Sequence, residues 1–129
     1  MRSLPVILVL LLAFLAGYAR TELVVGGLYY VRDEKGAYSV LKILRTDNMG
    51  VHVRIYSNQF SAPPTQVDEG ALYVAGPNGK PGEPPGMAHV PVLRQNFRRW
   101  NATFFQQSRV KSTELDDFWR WRAGKREYR

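Results

Sequence analysis

The chain has 129 residues, 18 Lys and Arg against 11 Asp and Glu, two His and no Cys, and 45% of it is apolar. That length holds one domain, and the apolar share sets the chain apart from disordered sequences. Without cysteine there can be no disulfide, thiolate nucleophile, cysteine-ligated zinc site or iron–sulfur cluster.

In Met1–Ala19 (MRSLPVILVLLLAFLAGYA), Arg2 precedes an apolar run from Leu4 to Ala16, and Gly17-Tyr18-Ala19 supplies a small-x-small ending. These are the parts of a cleaved secretory signal. The run is shorter than the ~20 residues of a typical membrane-spanning helix. The expectation is therefore a secreted or periplasmic protein cut near Ala19, with a membrane-anchored form as the alternative. Residues 20–92 are expected to form a β-barrel-like core, and residues 93–129 a basic helical segment.

Gly27–Arg32 (GLYYVR) reads as a first strand, closed by turn chemistry at Asp33-Glu34-Lys35-Gly36. Ala37–Thr46 (AYSVLKILRT) is the second, and its dense apolar run suggests that both faces are partly covered. Asp47-Asn48-Met49-Gly50 turns the chain into Val51–Phe60 (VHVRIYSNQF). There the alternation points Val51, Val53 and Ile55 to one side, and His52, Arg54 and Tyr56 to a polar face. Pro63-Pro64 breaks the ladder, Leu72–Ala75 (LYVA) reads as a short fourth strand, and Ala88–Val92 reads as a fifth, edge strand that tolerates Pro91. Between these last two, eight of the twelve residues of Gly76–Met87 are Gly or Pro, which makes the stretch a loop.

Leu93, Phe97 and Trp100 fit one face of a short helix. Thr113–Ala123 (TELDDFWRWRA) is the strongest helix signal. Thr113 is placed to cap it with Asp116 at the third position, acids fill its first turn and Arg120 and Arg122 its last, and Gly124 is placed to end it. Its stripe of Leu115, Phe118 and Trp119 predicts packing on the sheet, which leaves Trp121 exposed. Overall the chain reads as mainly β with a C-terminal helix, an antiparallel sheet of four or five strands packed by one or two helices.

The strand runs Gly27–Val31, Gly36–Leu44 and Val51–Tyr56 resemble those of small SH3-like barrels of the Tudor or KOW kind. The resemblance implies a closed antiparallel barrel. Through the Tudor relation it also implies an aromatic cage for methylated side chains, drawn from Tyr29, Tyr30, Tyr38 and Tyr56, with Asn58 at the mouth. Fold does not fix function, and an exported protein would rarely meet such a ligand.

Charge is uneven. Residues 20–93 carry seven bases and seven acids, whereas residues 94–129 carry ten bases and four acids. That tail suits an acidic partner: a protein, an anionic polymer or a lipid surface, with nucleic acid expected only if the protein is not exported. Arg98-Arg99-Trp100 and Trp119-Arg120-Trp121-Arg122 interleave cations with indoles, the chemistry of a phosphate- or sugar-binding face. Candidate binding residues are thus Tyr38, His52, Arg54 and Tyr56 on the sheet, and Arg98, Arg99, Trp121 and Arg122 in the tail.

No nucleophile elbow, phosphate loop or paired-carboxylate arrangement is present. Two histidines without a defined carboxylate partner make a poor metal site, so no cofactor or metal is expected. The expected function is that of a small non-enzymatic binding domain. The alternatives are a nucleic-acid- or methyl-ligand-binding barrel, or a small hydrolase or nuclease using His52 and His89. Asn101-Ala102-Thr103 matches the N-glycosylation pattern, which matters only in a eukaryotic secretory pathway.

Overall fold

The computed structural model describes residues 22–76, 79–124 and 126–129. The expected signal segment lies outside the described residues. Among the described residues, no helix is long and apolar enough to cross a membrane.

Five antiparallel strands form one sheet: β1 (Gly27–Arg32), β2 (Tyr38–Thr46), β3 (Gly50–Phe60), β4 (Met87–Leu93) and β5 (Thr103–Gln107). Their order is β4-β3-β2-β1-β5. The meander follows from its turns. Asp33 Oδ1 accepts from the amides of Lys35 and Ala37 at 2.9 Å each, and Gly36 takes φ 85° beside it. Asp47 Oδ1 repeats the device on Met49 and Gly50 at 2.9 and 2.8 Å.

Both faces of the sheet are covered, as the apolar run of β2 suggested. On one face Tyr29, Leu41, Ile43, Val51, Val53, Val90 and Val92 pack under Phe97 of helix α1 (Arg94–Arg99). On the other, Leu28, Val40 and Tyr56 pack with Val67, Leu72, Val74 and Phe105. That second face also buries Lys42 and His52 completely, because C-terminal segments lie across it. Ser112–Leu115 forms a single 3₁₀ turn that leads into helix α2 (Asp116–Ala123).

Several expectations are corrected. Leu72–Ala75 is not a strand: its amides at Tyr73 and Ala75 bond to the side chains of Asn58 (2.9 Å) and Ser57 (2.7 Å) instead of a ladder. The segment 93–129 is not purely helical, since β5 lies within it. Asn101, at φ 51°, ends the turn after α1 and releases the chain into Thr103-Phe104-Phe105, whose β-branched and aromatic side chains suit a strand. The sheet is open, because β4 and β5 remain edges and do not pair with each other.

The C-terminal helix is also entered and rolled differently. Glu114, not Asp116, reaches back, accepting from the Lys111 amide at 2.8 Å. Phe118 is buried, while Trp119 is 47% exposed and Trp121 is the half-buried indole. The helix therefore meets the sheet through Phe118 and Trp121.

Candidate functional site

A cleft of about 370 Å³ lies where the β2–β3 turn, α2 and the C-terminal residues meet. Phe118, Trp121 and Tyr128 supply aromatic lining, and Arg45, Arg122 and Arg126 bring three cations to it. The Arg45 guanidinium lies 5.0 Å from the Phe118 ring centre and 5.4 Å from that of Trp119, and Arg122 lies 5.7 Å from Trp119. Stacking fixes a guanidinium by its face and leaves its N–H edge free to meet an anion. Among the described residues, none of the three arginines forms an ion pair.

Asp47, the carboxylate in this lining, has its acceptor positions filled. Oδ1 takes the two turn amides described above, and Oδ2 takes the Tyr128 hydroxyl and, at 2.9 Å, His52 Nε2. Burial opposes ionisation here, but hydrogen bonds from His52, Tyr128 and the turn amides overcome it and hold the carboxyl well below the usual range. Arg94 secures the same turn, its Nε and Nη2 both donating to the Asp47 carbonyl at 3.0 and 2.6 Å.

Behind Asp47 runs a proton chain of fixed direction. His52 Nδ1 lies 2.9 Å from His89 Nε2. The rings are nearly coplanar (10°) with centres 5.2 Å apart, so they meet edge to edge and do not stack by their faces. An ionised carboxylate only accepts, so His52 Nε2–H donates to Asp47 and His52 Nδ1 is left as acceptor. His89 Nε2–H then donates to that nitrogen, and His89 Nδ1 ends the chain with no hydrogen-bond partner among the described residues. Burial pushes the His52 pKa down, against the pull of Asp47. Burial and the neighbouring His52 push His89 down to about 4. Burial together with the bond to Asp47 pushes Tyr128 up to about 12. The resting pair is neutral, enclosed by Phe118 and Trp121, whose ring centres each lie 4.7 Å from that of His52.

The candidates read from the sequence scatter across the fold. His52 sits under the cleft, with Trp121 and Arg122 at its wall, so these three are brought together. His52 is not on an open polar face as expected; it is fully buried beneath α2. Tyr56 is likewise buried, in the second core. Arg54 is turned to a different cluster, with Nε 4.0 Å from Glu114. Tyr38 packs edge-on against Tyr30 at 5.7 Å. Arg98 and Arg99 are exposed on α1, away from this cleft. The four tyrosines considered for an aromatic cage do not converge, because Tyr29 and Tyr56 belong to cores on opposite faces.

Sequence reasoning missed Arg45, Asp47, Arg126 and Tyr128. Asp47 read as a turn residue, which it is, and nothing in a turn signature announces a second use of the other oxygen. It also missed the Lys42 centre, where the ammonium donates to Glu69 at 2.6 Å, to Glu114 at 2.9 Å and to the Arg109 carbonyl. A lysine inside Val40-Leu41-Lys42-Ile43-Leu44 was the available signal, since a lysine there must find a buried counter-ion.

Among the described residues, no group of three or more His, Asp or Glu is arranged to hold a metal ion. Compared with protein-family models, curated proteins and solved structures, the chain matches none.

Proposed function

We propose that this chain is a small exported binding domain, without catalytic activity of its own, that takes an anionic group of its partner at the arginine–aromatic cleft. The observation that carries this reading is the gathering of Arg45, Arg122 and Arg126 around Phe118, Trp121 and Tyr128. The lining carboxylate, Asp47, is already committed to four donors. Guanidinium groups held on aromatic rings meet phosphate or carboxylate oxygens with paired N–H donors. An anionic envelope polymer, a lipid headgroup or an acidic protein offers such a group, and the leader-like pattern of residues 1–19 supports those partners over nucleic acid. A place among small SH3-like barrels is supported by the return of β5 to β1 after a four-strand meander, one route by which five strands can close.

The test is titration of the full chain with polyphosphate, followed by Trp fluorescence. Arg122→Ala and Arg126→Ala should each weaken binding about tenfold, and added salt should weaken it further. Variants that bind as tightly as the parent chain would defeat the reading.

A second reading, a hydrolase, is favoured by the Asp47–His52–His89 chain, which leaves His89 Nδ1 without a partner among the described residues and placed to act as the base. Turnover of a chromogenic phosphodiester that His89→Gln abolishes without loss of affinity would support it. Absence of turnover removes it.

A further inference from the structure

The two edges of the sheet are treated in opposite ways. Natural sheets protect edges with proline, charge or a covering segment. The β4 edge has two of these: Pro91 in its middle, and the backbone of Arg129, which accepts from the Leu93 amide and donates to the Pro91 carbonyl at 2.9 Å each. Among the described residues, the β5 edge has neither. Its sequence, Thr103-Phe104-Phe105-Gln106-Gln107, is uncharged and rich in strand-formers. Among the described residues, its backbone pairs with β1 alone.

The surroundings of this edge indicate what it takes. Phe104 is 44% exposed and stands edge-on to Tyr29 at 5.6 Å. The two rings, with Phe97, Leu23 and Ala102, line a cleft of about 560 Å³ that runs beside the strand. Exposed cations bracket β5, with Arg98 and Arg99 before it and Arg109 and Lys111 after it. Among the described residues, Glu22 is the one acid at the cleft. A second copy pairing antiparallel on this edge would bring Arg98 and Arg99 of one chain beside Arg109 and Lys111 of the other, a like-charge contact. An extended peptide with acids at its ends and apolar residues at its centre meets every feature.

We propose that the β5 edge is a strand-addition site for an acid-flanked, apolar-centred peptide segment of a partner protein. Backbone hydrogen bonds to Thr103–Gln107 supply affinity. One apolar side chain enters the cleft beside Phe104, and the peptide's terminal carboxylates face the two basic pairs. This surface lies apart from the arginine–aromatic cleft and does not depend on its function.

The experiment uses the full chain and a fluorescein-labelled peptide, Glu-Asp-Val-Ile-Val-Asp-Glu, with binding read by anisotropy and located by amide chemical shifts. Saturable binding with shifts on Thr103–Gln107 is expected. Replacing the peptide's acids by lysine, or N-methylating alternate amides of its central residues, should each weaken binding at least about tenfold. Phe104→Ser on the protein, a change at an exposed side chain, should do the same. The proposal is overturned by absent binding, by binding indifferent to N-methylation or to the peptide's charge, or by shifts at Arg45, Arg122 and Arg126 instead. It is also overturned if the chain self-associates through β5, seen as a dimer in sedimentation that Phe104→Ser dissolves.

Discussion

Replacing Lys42 by methionine removes one ammonium and takes a donor from three partners, of which Glu114 keeps the Lys111 amide and Glu69 the Ser108 hydroxyl. In the folded chain that ammonium is fully buried, 2.9 Å from Glu114 and 2.6 Å from Glu69, and it also satisfies the Arg109 carbonyl. Removing one partner of a buried pair costs about 3–5 kcal/mol, because the remaining charge stays desolvated. Two features reduce that figure here. The Glu69 side chain is 30% exposed, so water can partly replace its lost partner. Arg54 Nε, buried without a hydrogen bond among the described residues and 4.0 Å from Glu114, can move closer. The expected loss is therefore about 3 kcal/mol, a large share of the roughly 5–15 kcal/mol that holds a domain folded. Because Lys42 ties β2 to the 3₁₀ turn ahead of α2, the damage should be felt at that helix. Urea unfolding followed by circular dichroism measures the loss, and the double variant Lys42→Met with Glu114→Gln should recover part of it. A single variant that loses less than about 1 kcal/mol would refute the reasoning, since that is the range of an exposed pair.

Other outcomes follow from the same geometry. Burial lowers the pKa of His52 and His89 in the folded chain, so their contribution is present above the unfolded value, near 6.5, and is lost as pH falls. Between pH about 6.5 and about 4, stability should fall by about 1–2 kcal/mol, after allowing for the partial solvent contact of His89. Thermal melts across that range, with a shallower fall in His89→Gln that leaves only the His52 share, check it. Phe118→Ala should cost about 3–5 kcal/mol, whereas Trp119→Ala, at an exposed ring, should cost under about 1 kcal/mol, as denaturant midpoints will show. In Gly50→Ala the new methyl would meet the Val92 carbonyl and the Tyr128 ring, so Tyr128 should be displaced from Asp47. A fall in the Tyr128 pKa from about 12 toward 10, read by ultraviolet titration, would report that release.

The meander was legible because its information is local. Alternation in β3 and the Asp and Gly residues of two turns specify β1, β2 and β3 nearly residue for residue. The Asp116, Asp117, Arg120 and Arg122 order likewise marked α2 through its dipole. What failed was long-range. His52 looked solvent-facing because strand periodicity separates two faces but does not say which face a later segment will cover. Here α2, more than sixty residues downstream, covers it with Phe118 and Trp121. The roll of that helix turns on Phe118 seating over the His pair, which frees Trp119 and draws in Trp121. Leu72–Ala75 has strand propensity, yet its amides found the side chains of Asn58 and Ser57 first. β5 was hidden by the cationic and aromatic residues around it, which read as one basic segment.

Of the proposed binding site, the sequence carried the residue types but not their meeting place. Trp121 and Arg122 were visible as an interleaved pair. Arg45 and Arg126 stand eighty-one positions apart, and only the packing of α2 and the C-terminal residues on the β2–β3 turn brings them to one cleft.

The most direct measurement of the account is NMR of the arginine Nε–H groups while polyphosphate is added to the full chain. Selective shifts at Arg45, Arg122 and Arg126, lost at high salt and accompanied by a change at the Trp121 indole, are the predicted result. Uniform small shifts across all arginines, with Trp121 unmoved, would contradict the claim that this cleft is a built anion site.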